Sequence, residues 1–158
     1  MADINLGHKS QVLTGMSILI GGKTTFGFTG DGTKVSDVEF VEVDGQSIGI
    51  IKPLTMTIEV CNLNVNYITH IASNLPVVIK GNIHQDGANI SYVVTLQGAL
   101  KKMGKDVKIG DIVKRTFELN LNMYNEMVDG VPTINYTRHP YTCILGGVDT
   151  APKYNQNI

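Results

Sequence analysis

The sequence predicts a mainly β protein, an antiparallel β-sandwich or barrel with one short α-helix over about residues 64–74. Three observations carry this. Apolar residues recur at every second position in several segments, Gly and Asp pairs punctuate those segments, and a single stretch changes to helical spacing. Apolar residues at period two place one face of a strand on a core and the other elsewhere.

The alternation is clearest in three runs. Ile90, Tyr92, Val94, Leu96, Gly98 and Leu100 oppose Ser91, Thr95 and Gln97. Phe117, Leu119, Leu121 and Met123 oppose Thr116, Glu118, Asn120 and Asn122, while Leu54, Met56, Ile58 and Val60 oppose Thr55, Thr57 and Glu59. Further strands are predicted at Val12–Ile20, Thr24–Phe28, Val35–Val43, Ser47–Ile51, Val77–Ile83 and Thr133–Leu145.

Between these runs stand Gly21-Gly22, Gly30-Asp31-Gly32, Asp44-Gly45, Asp86-Gly87 and Asp129-Gly130. Gly and Asp tolerate the positive φ of tight hairpin turns, so each pair reads as a turn. Gly15, Gly27 and Gly49 lie inside strand-like runs and mark candidate bulges. In Asn64–Asn74, Val65, Ile68, Ile71 and Ala72 fall at helical spacing. Asn62 or Asn64 is positioned to cap the start, and Asn74 followed by Pro76 to end it.

A chain of 158 residues fits one domain, and no composition shift, linker or repeat divides it, so residues 1–158 are expected to form a single unit. Residues 1–11 and 151–158 are expected to be flexible or contact-forming termini. Charged residues make up 17% and the net charge is −1, which gives no bulk attraction to nucleic acid or to an anionic membrane. A charge-poor exterior suits a protein that buries its surface against copies of itself. Cys61 and Cys143 allow one pair at most, too few for a secreted disulfide scaffold; both read as reduced, small apolar core residues. No segment approaches the roughly 20 apolar residues of a membrane span. The start Met1-Ala2-Asp3-Ile4-Asn5 lacks the pattern of a signal peptide, so a soluble protein made in the cytoplasm is expected.

Catalytic and ligand motifs were weighed against plainer readings. Gly21-Gly22-Lys23-Thr24-Thr25 ends like a phosphate-binding loop, but Ser17 stands where the motif needs its first glycine and a strand follows where it needs a helix. His8, His70, His84 and His139 are scattered without metal-ligand spacing. There is no nucleophile elbow and no basic neighbourhood for a reactive thiol. No enzyme activity, cofactor or metal is therefore expected.

Two surface features remain. Lys101, Lys102, Lys105, Lys108, Lys114 and Arg115 place six of the 13 Lys and Arg within a short stretch. Without interleaved aromatic residues for base stacking, this reads as a solvated or partner-facing loop between strands, with Gly104 and Gly110 as turning points. Lys101, Lys102, Lys105 and Lys108 are its candidate contact residues. Glu118, Asn120 and Asn122 form a polar stripe that is a wet face on a monomer and a candidate channel lining in a closed ring.

From Leu75 onward the order of features resembles the major tail tube protein family of contractile-tailed bacteriophages. The matching features begin with Pro76-Val77-Val78-Ile79-Lys80-Gly81-Asn82 and the alternating strand to Leu96-Gln97-Gly98. They continue through the basic stretch closing in Lys108-Ile109-Gly110-Asp111, the strand Phe117–Tyr124 and the pair joined at Asp129-Gly130, to the final Gly146-Gly147-Val148-Asp149. The N-terminal half fits less well, because the long loop expected after the first hairpin is short.

The resemblance implies a structural virion protein without catalytic activity. It implies hexameric rings stacked into a hollow tail tube that conducts DNA during ejection, with sheath, baseplate and tape-measure proteins as partners. Assembly in the host cytoplasm and residence in the virion tail follow from the same likeness. Alternatives are a type VI secretion tube-like protein and a monomeric β-sandwich binding module. The module would usually display exposed aromatics, and the chain has no Trp and only six Tyr.

Overall fold

A computed structural model describes residues 10–20, 24–27, 32–61, 63, 65–74 and 76–152. The strands are β1 (Val12–Ile20), β2 (Thr24–Gly27), β3 (Gly32–Val35), β4 (Phe40–Val43), β5 (Gln46–Ile51) and β6 (Thr55–Val60). After α1 (Val65–Ala72) come β7 (Val77–Gln85), β8 (Ala88–Asp106), β9 (Lys114–Val128), β10 (Val131–Thr137), β11 (Thr142–Leu145) and β12 (Val148–Asp149). The pairings are antiparallel, as the alternation predicts.

Tight turns set the registers. Asp44-Gly45, Asp86-Gly87 and Asp129-Gly130 each hold both residues at positive φ, between 50° and 81°, which matches the twist of the strands they join. Gly146-Gly147 does the same between β11 and β12. The predicted turns at Gly21-Gly22 and Gly30-Asp31 lie outside the described residues. Gly15 adjoins a register shift between β1 and β7, and Gly49 lies within one between β4 and β5, so both bulge readings hold. Gly49 has φ +81, and a Cβ on it would collide with the carbonyl oxygen of Thr150, so only glycine lets residues 150–151 lie across β5.

The sheet runs β12-β11-β10-β9-β8-β7-β1-β2, with β6 and then β3 branching from β9. β9 is long enough to take two partners along one edge. It pairs with β6 through Arg115–Asn120 and with β10 through Met123–Val128, while β8 lines its other edge. At the change-over, Leu121 N–H donates to the Leu54 carbonyl at 3.0 Å and Arg138 N–H to the Asn122 carbonyl at 2.9 Å. The backbone groups freed by the parting strands are thus satisfied. The core gathers Ile18 of β1, Ile58 of β6, Ile79 of β7, Val94 and Leu96 of β8, Phe117, Leu119, Leu121 and Tyr124 of β9, and their neighbours. Truncating Phe117, which is fully buried, to Ala removes contacts worth about 3–5 kcal/mol at such sites.

The structure corrects several boundaries. Val35–Val43 is two strands, and Thr133–Leu145 is a hairpin broken at residues 138–141 with a cis His139-Pro140 bond. β8 and β9 run well past their predicted ends. Asn122 is an extra residue on β9 between the pairs Gln97–Met123 and Gly98–Leu121, which shifts the inward phase so that Tyr124 is buried where Met123 was expected. The helix ends as predicted, with Asn74 at φ 57, but only Ile68 and Ile71 pack inward; Val65 and Ala72 are exposed. Asn62 and Asn64 lie outside the described residues. Cys143 is buried, whereas Cys61 is only half-buried and follows β6 rather than lying within it. No described helix is long and apolar enough to cross a membrane.

Candidate assembly surface

The basic stretch is not a loop between strands. Lys101, Lys102 and Lys105 lie on β8 itself, and only residues 107–113 turn the chain. Gly104 continues the strand opposite Thr116; Gly110, at φ +86, is a turning residue as predicted. β7 accompanies β8 only as far as Leu96, and β6 accompanies β9 only as far as Arg115. Over residues 99–105 the ribbon of β8 and β9 is backed by β6 on its β9 side, residues 106–114 extend beyond both partners, and the β8 edge of this arm carries no strand over residues 97–106 among the described residues.

The arm ends in apolar residues that are exposed among the described residues: Ile109 is 106% exposed, Ile112 68% and Val107 54%. Lys101, Lys102, Lys105 and Lys108 are all exposed. Lysine along an open edge discourages indiscriminate pairing, while the unpaired backbone still offers hydrogen bonds to a specific neighbour.

Across the arm, Lys105 pairs in register with Arg115. Like charges directly opposite each other repel. The Arg115 Nε is buried and makes no hydrogen bond, and its Nη1 meets only the Met103 sulfur at 3.5 Å.

The polar stripe lies on β9. Glu118 and Asn120 share the outward face of β9, beside Thr57 and Thr55 of β6. Lys101 Nζ lies 3.4 Å from Glu118 Oε1, which joins the two candidate groups by an ion pair. Asn122 is exposed but is the bulged residue, so the period-two stripe is interrupted there.

A second projection, the hairpin β4–β5, forms its own two-stranded sheet. Its root is held by Tyr141, whose hydroxyl accepts from Ile51 N–H at 3.0 Å. Val38, Phe40, Val43 and Ile48 are exposed on it or beside it. Asp37, Glu39, Glu42 and Asp44 are exposed too; Glu39 pairs with Lys52 at 3.2 Å, and the other three have no ion pair among the described residues.

One polar cluster was not read from the sequence. Glu126 accepts from Tyr124 Oη at 3.0 Å and from Thr133 Oγ1 at 2.8 Å, with Tyr92 Oη at 3.5 Å. Burial, followed by the neighbouring Tyr92 and the Glu126 charge, pushes the Tyr124 phenol far up; burial and Glu126 raise that of Tyr92. The cluster ties β8, β9 and β10 together and holds its tyrosines neutral. Its signal was the bulge phase, which alternation alone does not disclose.

His84 and His139 are exposed, His8 lies outside the described residues, and no group of His, Cys, Asp and Glu among the described residues could hold a metal ion. Burial pushes the Cys143 thiol up, away from the reactive thiolate.

No curated protein matches the chain. A family model described as phage tail tube protein FII matches residues 36–158. The match takes in every element from β4 to β12, including both projections, and begins well before Leu75, where the resemblance was read. The chain therefore belongs to the phage tail tube protein family, and is a structural component of a phage tail.

Proposed function

We propose that the chain folds as one protomer domain over residues 1–158. Six copies close into a ring, and rings stack into the hollow inner tube of a contractile phage tail or a related tail-like particle. The tube is assembled in the host cytoplasm, sits inside a sheath, joins a baseplate, encloses a tape-measure protein, and conducts DNA during ejection.

The observation that carries this reading is the arm. In a chain of the tail tube family, a long β ribbon with an open edge and an exposed apolar tip has the form of a contact element between copies. Contacts between unlike surfaces of identical chains either close into rings or propagate as filaments, and a stacked tube uses both. In this arrangement Lys101, Lys102, Lys105 and Lys108 face a partner.

Glu118, Asn120 and Asn122 border the bore. A lining of one neutralised carboxylate and two amides offers phosphates no cation free of its own counter-charge, which suits a conduit that must not grip its cargo. Electron micrographs viewed down the tube axis test the ring: six-fold symmetry is expected, and any other fold of rotation refutes the hexamer.

A further inference from the structure

The tube reading leaves open which surface receives the arm. Two features of this chain complement each other, and neither is satisfied within the protomer. On the arm, Lys105 and Arg115 stand opposite one another without a carboxylate, and the guanidinium Nε is buried with no acceptor. Beside them lie the exposed Met103, Val107 and Ile109. On or beside the β4–β5 hairpin, Asp37, Glu42 and Asp44 are exposed and form no ion pair among the described residues, next to exposed Phe40, Val43 and Ile48.

Resting on the tube reading, we propose that the β8–β9 arm of one copy docks on the β4–β5 hairpin of a second copy. The apolar tip packs on the hairpin's apolar side chains, while the exposed Lys105 and Lys108 meet the acids of residues 37–44. The charges fit with the sign that attraction between copies requires. The cross-strand repulsion is relieved, because a carboxylate beside the exposed Lys105 neutralises it. The contact is heterologous: each copy gives an arm and receives one, so it propagates from protomer to protomer.

Charge reversal tests it. An arm variant, K105E/K108E, and a hairpin variant, D37K/E42K, change only exposed residues outside the positive-φ turn positions. Circular dichroism of each should match the wild type, and thermal unfolding should be no lower, with the arm variant unchanged or slightly raised because residue 105 faces Arg115. Tube yield, scored by electron microscopy and pelleting, should fall at least about tenfold in each alone, since juxtaposed like charges cost several kcal/mol at an interface. The two variants mixed, or all four changes in one chain, should regain tubes.

Tubes from either variant alone at wild-type yield overturn the proposal, as does failure of the combination to regain them. Loss confined to the arm variant places its acidic partner elsewhere and overturns it equally. A wild-type chain that forms no tubes removes the tube reading itself, and this contact with it.

Discussion

A methyl group on Gly98 would stand 2.5 Å from the carbonyl oxygen of Asn120 and 3.1 Å from the Leu121 Cα. These atoms belong to the backbone of β9, at the point where Asn122 bulges and the strand exchanges β6 for β10. No side chain can give way there. Glycine is what lets β8 lie this close to the bulge.

Gly98→Ala should therefore destabilise the protein by about 1–3 kcal/mol, the usual cost of overpacking. Gly104→Ala is the control, because a Cβ there meets nothing within 4 Å. It should be neutral or stabilising by up to about 1 kcal/mol, since alanine restricts the unfolded chain. Urea unfolding of both variants measures the difference, and equal stabilities would show that the close approach does not constrain the sheet.

Stability should fall in alkaline solution. Burial raises the phenols of Tyr92, Tyr124, Tyr136 and Tyr141 above their ordinary 10.0, and the Cys143 thiol above 9.0. A raised pKa means that the folded state holds its proton more tightly than the unfolded chain. The contribution is fully present below the unfolded values and is lost as pH climbs through about 9 to 10 and beyond. Absorbance titration of tyrosine alongside unfolding should show these phenols ionising only as the fold is lost. Ionisation of all tyrosines near pH 10 in a still-folded protein would contradict the burial account.

The bore assignment predicts a change in cargo handling rather than in assembly. Asn120→Lys, which keeps the Lys101–Glu118 pair, should leave tubes intact but make them retain DNA. Retention should weaken with salt, each new phosphate contact adding about 0.7–0.9 to the logarithmic salt slope. A salt profile identical to that of wild-type tubes would remove this stripe from the bore.

How much of this was legible in the sequence depended on the local physics at each place. Asp44-Gly45, Asp86-Gly87 and Asp129-Gly130 could be read because a tight hairpin demands positive φ and few residues supply it. The inward faces of β6 and of β8 up to Gly98 could be read because one side of each meets a core. Beyond Leu100 there is no core to impose alternation, so a lysine-rich strand looked like a loop and Gly104 like a turn. The bulge at Asn122 escaped notice because Met123, an apolar residue, happens to continue the odd-numbered series; only the partner register shows that Tyr124 is the one buried.

The candidate site was legible as residue types and not as a surface. Glu118 and Lys101 were read as two separate features, and they form one ion pair. The acidic hairpin was read only as strand and turn, because its charge acquires meaning beside an arm that the sequence had not shown to be one.

The central claim is that this chain builds a tube from itself. Negative-stain electron microscopy of the purified protein, taken to high concentration without other tail proteins, tests it most directly. The account predicts stacked rings or hollow tubes of uniform bore, and a protein that stays strictly monomeric throughout would contradict it.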